Sequence, residues 1–122
     1  MRRLSPEALQ WIGLFAAPLA WTVQLVAGFG ATIAACSTGG RDIDLTAWEL
    51  AITAATAAVA VAGQAAAVLA WRATRGRAED SPPPAGRIHF FADAALVANT
   101  VFIVMILLGG ISAVHHVPCA QA

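Results

Sequence analysis

TIAACSTGG, residues 32–40, marks the point where the first long apolar run of the chain gives way to polar residues, and its reading decides the fold. Ile33-Ala34-Ala35-Cys36 fits the loose pattern of a bacterial lipoprotein signal, in which the cysteine is cut free and lipidated. The rival reading makes Cys36 the outer end of a permanent transmembrane helix. A secretory signal has an apolar core of about 7–15 residues. The apolar stretch before Cys36 is far longer and is interrupted by Pro18 and Gln24, so a permanent helix is expected.

The rest of the chain agrees with that reading. Of its 122 residues 59% are hydrophobic and 11% charged, and the mean hydropathy is +0.72. A soluble domain carries about 25% charged residues, so the polar surface needed by a water-soluble globule is missing. The apolar residues fall into three blocks, about 9–35, 45–71 and 88–114. Each exceeds the roughly 20 residues that cross about 30 Å of hydrocarbon at 1.5 Å per residue. The second block is mostly alanine, but it carries no charge after Glu49 until its end. The expected fold is all-α: one integral membrane domain, a three-helix bundle. The zero net charge gives no reason to expect nucleic acid as a partner.

The connections set the orientation. CSTGGRDID (36–44) is a short polar turn, and RATRGRAEDSPPPAGR (72–87) is a charged loop. Within the loop, Pro82, Pro83 and Pro84 forbid helix and suggest a stiff extended spacer. Arg2, Arg3, Arg72, Arg75, Arg77 and Arg87 share one side, leaving only Arg41 on the other. The positive-inside rule then puts the N-terminus and the 72–87 loop in the cytoplasm and the C-terminus outside. Trp11 and Trp71 fall near the inner interface and Trp48 near the outer one, where amphipathic rings are best accommodated. Cys36 and Cys119 meet on the same oxidising face. A bridge between them would tie the first helix to the third and close a loop of about 80 residues, an effect of about 4 kcal/mol in chain-entropy models. Two unpaired or metal-binding thiols are the alternative.

In lipid, small residues let helices approach while bulky ones face acyl chains. In the first span Gly13, Ala17, Ala20, Gln24, Ala27, Gly28, Ala31 and Ala35 form a small stripe, and Phe15, Leu19, Val26, Phe29 and Ile33 a bulky one. Pro18 removes the backbone bond to the Leu14 carbonyl and is expected to bend this helix. The second span has two small stripes, Ala55–Val59–Gly63–Ala67 and Ala58–Ala62–Ala66–Ala70. A helix with so few bulky groups is expected to be enclosed, by a partner protein or by further copies of the chain. The third span would pack through Ala95, Asn99, Phe102, Met105, Gly109 and Ser112.

Four polar side chains inside the spans need explaining: Gln24, Gln64, Asp93 and Asn99. Depth counted from the span ends pairs Gln24 with Asn99 or Thr56, and Gln64 with Asp93, each bond contributing about 0.6–2 kcal/mol. An intramembrane acid is a functional candidate by default. Asp93 is one turn from the interface, close to Arg87 and His89, and the blander reading is a hydrogen-bonded acid near the headgroups. At the other end HHVPC brings His115, His116 and Cys119 together, a set able to bind copper or zinc if the thiols are free. Adjacent histidines diverge by about 100° on a helix, and a disulfide would consume both sulfurs, so interfacial histidines without metal are expected. There is no C-x-x-C-H haem attachment motif. His89 and His115 are a membrane thickness apart, and no nucleophile–base pair, phosphate loop or paired carboxylates appear. Neither a cofactor nor an enzymatic activity is expected.

One segment carries a resemblance. APLAWTVQLVAGFGATIAAC (17–36) is similar to small multi-span proteins of unknown role encoded beside haem-copper terminal oxidases in many bacteria. The similarity covers the first span, with Pro18, Trp21, Gln24 and Cys36 as the shared residues, and departs from the group at Gly28-Phe29-Gly30, where an aromatic is common. It implies a place in the bacterial inner membrane beside larger respiratory subunits, as a non-catalytic accessory subunit or assembly factor. The rivals from other classes are a small oligomeric channel or transporter built around Asp93, and an outer-face metal-handling protein.

Overall fold

The computed structural model describes residues 3–37, 43–76, 82–115 and 119. They form three helices, α1 (Pro6–Ser37), α2 (Leu45–Thr74) and α3 (Ala85–His115). All three are long and apolar enough to cross a membrane. This is the architecture of a multi-pass membrane protein. At 1.5 Å per residue each runs about 45 Å, beyond the roughly 30 Å of hydrocarbon, so the helix ends reach the headgroup layers.

The helices outrun the apolar blocks because of what lies at their ends. The Ser5 hydroxyl accepts from the Ala8 N–H at 3.2 Å, and Pro6 opens α1 without an orphan N–H. Asp44 caps α2 by accepting from the Ala47 N–H at 3.1 Å. Gly76, at φ +86°, lies just past the C-cap Arg75 and lets the chain leave α2. The Pro84 carbonyl accepts from the Ile88 N–H at 3.0 Å, so the proline run leads straight into α3. Pro82–Pro84 form a bend and a turn, with a cis peptide between Pro83 and Pro84, in place of the expected extended spacer. With α2 running to Thr74 and α3 starting at Ala85, the connection is 75–84, shorter than the expected 72–87.

The core is a seam of small residues. Buried positions on α1 are Gln10, Gly13, Ala17, Ala20, Gln24 and Gly28, in steps of three or four residues. On α2 they include Glu49, Thr56, Ala60, Gly63, Ala67, Ala70 and Thr74, and on α3 Ile88, Ala92, Ala95, Asn99, Ile106 and Gly110. The mean step is about 3.6 residues, the period of the α-helix itself. The α1 seam follows the expected small stripe, and Val26 and Phe29 on its bulky stripe are each 70% exposed.

Two expected faces are corrected. On α2 only the C-terminal parts of the two stripes are buried (Gly63, Ala67, Ala66 and Ala70), while Ala55, Ala58, Val59 and Ala62 are exposed. On α3 the C-terminal half of the contact face is Ile106 and Gly110; Gly109 and Ser112 are exposed, and Phe102 and Met105 half-buried. The seam continues from Asn99 by two helical turns to 106 and by one more to 110, rather than to 105 and 109.

The close approach of α1 and α2 explains Gly13 and Gly63. A Cβ built on Gly13 would lie 2.9 Å from the Ala67 amide nitrogen, and one on Gly63 would lie 2.7 Å from the Ala16 Cβ. These reciprocal contacts fix α1 and α2 as antiparallel neighbours. Gly30 has nothing within 4 Å of its would-be Cβ. Gly13→Ala and Gly63→Ala should therefore each destabilise the bundle, by about 1–3 kcal/mol from overpacking. Gly30→Ala should be neutral or stabilising by up to about 1 kcal/mol. Thermal or detergent titration of the purified variants, followed by helical circular dichroism, checks the contrast.

Candidate functional site

The ends of the bundle differ, and the polar side chains form separate nodes along its axis. At the end carrying Ser5, Thr74 and Ala85, α2 and α3 meet through His89. Its Nδ1 lies 3.1 Å from the Thr74 hydroxyl, its ring stacks on Trp71 at 6.0 Å, and its Nε2 lies 3.7 Å from an Asp93 oxygen. The Thr74 hydroxyl donates to the Ala70 carbonyl at 2.9 Å. Arg87 and Glu7 form a solvent-exposed pair at 3.6 Å that links α3 to α1. Such exposed pairs contribute little.

This geometry corrects the expected contact between Gln64 and Asp93. Asp93 faces His89, one turn back on its own helix. Gln64 instead donates to the Leu96 carbonyl and to the Thr100 hydroxyl, both at 3.4 Å. Asp93 is 44% exposed in its side chain, and its partner lies on the same helix.

The pairing of Gln24 is also corrected. Its Nε2 donates to the Ile106 carbonyl at 3.0 Å and to the Thr53 hydroxyl at 3.1 Å, joining all three helices. Asn99 donates from Nδ2 to the Gly13 carbonyl at 2.8 Å. Thr56 turns back onto its own helix, donating to the Ile52 carbonyl at 2.7 Å. The reason is axial offset. Partners on α1 and α3 are separated by 82, 86 and 83 residues at Gln24–Ile106, Gly13–Asn99 and Cys36–Cys119. The near-constant separation makes α1 and α3 parallel and puts Asn99 level with about residue 16, roughly 12 Å along the axis from Gln24. Between these nodes Ala17, Ala20, Ala60 and Ile106 close a dry layer, with Trp21 and Phe102 packed against it.

At the opposite end Cys36 and Cys119 lie at disulfide distance, with Cα atoms 5.5 Å apart. Trp48 donates from its indole N–H to the Ala27 carbonyl at 3.2 Å. Trp11 stacks on Phe15 and Trp71 on His89 at the other end, so Trp11, Trp48 and Trp71 mark the two ends of the bundle, with Trp21 between them. His115 is exposed; His116 lies outside the described residues. Among the described residues no group of three or more His, Cys, Asp or Glu side chains comes together. A groove of about 210 Å³ runs between α2 and α3 here, lined by Leu50, Thr53, Leu107, Gly110, Ile111, Val114 and His115.

Three polar residues escaped the sequence reading. Gln10 is 1% exposed and Glu49 8%. Thr53 was missed as the partner of Gln24. Gln10 precedes Gly13 by one turn on the small stripe, a signal that could have placed it in the seam. Glu49 looks like an interfacial acid by sequence, but its carboxylate lies over Gly28, where a Cβ would stand 3.0 and 3.1 Å from the two oxygens. That glycine makes room for the acid.

Replacing Gln24 by Leu removes a bond between helices, and stability should fall by about 0.6–2 kcal/mol. Asp93→Asn, at a half-exposed site with no partner on another helix, should change it by less than about 0.5 kcal/mol. Reversible unfolding of both variants in the same detergent compares them. Comparison with protein-family models, with curated proteins and with solved structures finds no match to this chain.

Proposed function

We propose that this chain is a non-catalytic accessory subunit or assembly factor of a larger membrane complex, a respiratory terminal oxidase of the bacterial inner membrane. The observation that carries the reading is the outward face of α2. Ala51, Ala54, Ala55, Ala58, Ala62 and Ala65 are all exposed there. The outward faces of α1 and α3 carry Phe15, Leu19, Val26, Phe29, Val101, Leu108 and Ile111, whereas on α2 the alanine stripe is flanked by exposed Val59 and Val61 and bounded by Leu50 and Leu69. Bulky side chains suit acyl chains, whereas a face of methyl groups lets another helix approach closely. The three helices of one chain leave that face uncovered, which accommodates a larger subunit or a further copy.

The resemblance of residues 17–36 names the kind of complex. Two of its shared residues, Gln24 and Cys36, hold the bundle together in this chain. On this reading the arginine-rich end is cytoplasmic and the cysteine end faces outward, in accord with the charge distribution. The channel reading draws less support, because the dry layer of Ala17, Ala20, Ala60 and Ile106 interrupts the polar nodes within one chain. Metal handling requires free thiols, and both sulfurs lie in the Cys36–Cys119 pair.

Affinity purification from native membranes in mild detergent tests the proposal. The tagged chain should bring down larger subunits with haem absorbance. Ala58→Phe should lose them while keeping the helical content and stability of the parent. A chain that elutes alone, without haem, removes the oxidase assignment.

A further inference from the structure

The groove between α2 and α3 at the cysteine end has apolar walls and a closed floor. Leu50 of α2 and Leu107 and Ile111 of α3 form its rim, each about half exposed. Between them a Cβ on Gly110 would run into the Thr53 side chain, so the two helices touch along the floor. Val114 and His115 continue the lining to the end of α3.

The dimensions limit what can lie there. On α3 the lining runs from Leu107 to His115, about 12 Å along the axis. That is most of one leaflet, whose hydrocarbon is about 15 Å deep. Since α3 ends in the headgroup layer, the groove starts there and points toward the bilayer centre, parallel to the acyl chains. About 210 Å³ spread over that length makes a narrow slot, below the roughly 300–1,000 Å³ of pockets for drug-sized ligands. A single hydrocarbon chain can enter it lengthwise; another helix, about 10–12 Å across, cannot.

Acyl chains are the medium in which the groove lies, and an unfilled slot would forfeit the dispersion contacts of its walls. Burying apolar surface supplies almost no drive in lipid. Retention of one chain therefore rests on contact with two helices at once and on its polar end. At the mouth His115, exposed in the last turn of α3, offers a ring N–H to a phosphate oxygen. The same layer holds acceptors, namely the last carbonyls of α3 and the Asp44 carboxylate that caps α2. Measured from the Gly110–Thr53 contact, α2 starts about 12 Å and α3 ends about 8 Å further out. A headgroup with a phosphate and an ammonium answers donor and acceptors alike, whereas a purely anionic one leaves the Asp44 charge unanswered. We propose that the groove retains one phospholipid, its acyl chain between Leu50, Leu107 and Ile111 and its zwitterionic, ammonium-bearing headgroup at His115.

Photolabelling of the full chain in nanodiscs tests the proposal, with phosphatidylethanolamine or phosphatidylglycerol carrying a mid-chain diazirine as the probes. Leu25 on α1 is the control, a leucine of similar exposure at the same depth, next to the Gln24 that bonds Ile106. Peptide mapping should find Leu107 and Ile111 labelled several-fold more than Leu25, and more by the ethanolamine lipid than by the glycerol lipid. Ile111→Trp should fill the slot and bring Leu107 down to the level of Leu25. Asp44→Ser, which keeps a helix cap and removes the charge, should narrow the difference between the two lipids. Should either variant fail to fold, the unsubstituted chain alone decides. Equal labelling of Leu107 and Leu25, or equal labelling by the two lipids, overturns the proposal.

Discussion

The bundle depends on the close approach of α1 and α2 at Gly13–Ala67 and Gly63–Ala16. Lipid tails are as apolar as leucine, so burying apolar surface supplies almost no drive for helices to associate in a membrane. Close packing and hydrogen bonding must do it instead, and both need short distances between backbones. Among the described residues eight of the ten buried apolar side chains are alanine, the exceptions being Ile88 and Ile106. The short distances also explain the choice of polar partners. Gln24, Gln64 and Asn99 each reach a backbone carbonyl of a neighbouring helix, at Ile106, Leu96 and Gly13. A glutamine or asparagine spans that gap only when the facing seam is built from small residues.

The polar groups thereby become register markers. Gln24 joins three helices in one node, and Asn99 pins α3 to α1 about 12 Å away along the axis. The Cys36–Cys119 pair holds the same offset at the end of the bundle. Three fixed points at a near-constant separation resist sliding of α3 along α1, which an alanine seam alone would tolerate. A chain held in one register presents its uncovered α2 face with a defined shape, which suits the subunit interface proposed above.

Much of this was legible in the sequence where side chains contrast. The α1 stripe could be read because Gly13, Ala17 and Ala20 alternate with Phe15 and Leu19. The three helices and the meeting of Cys36 with Cys119 followed from block lengths. On α2 nearly every face is alanine, so composition alone does not say which face turns inward. On α3 apolar bulk continues through Val101–Leu108, and only counting two helical turns on from Asn99 selects Ile106. The polar pairs were misjudged because depth was counted from the ends of apolar blocks. Ser5, Asp44 and Pro84 start the helices outside or at the edge of those blocks, and α3 sits about one turn further along α1 than the blocks suggest. A one-turn error is enough to exchange one partner for another.

The most direct test is the sidedness of the two sulfurs. After reduction, membrane-impermeant thiol labelling of sealed vesicles in both orientations, with a cysteine introduced at Ala78 in a Cys36→Ser, Cys119→Ser background as the reference, reports each position separately. The account predicts that Cys36 and Cys119 react from one common side and position 78 from the other. Labelling of Cys36 and Cys119 from opposite sides would contradict it.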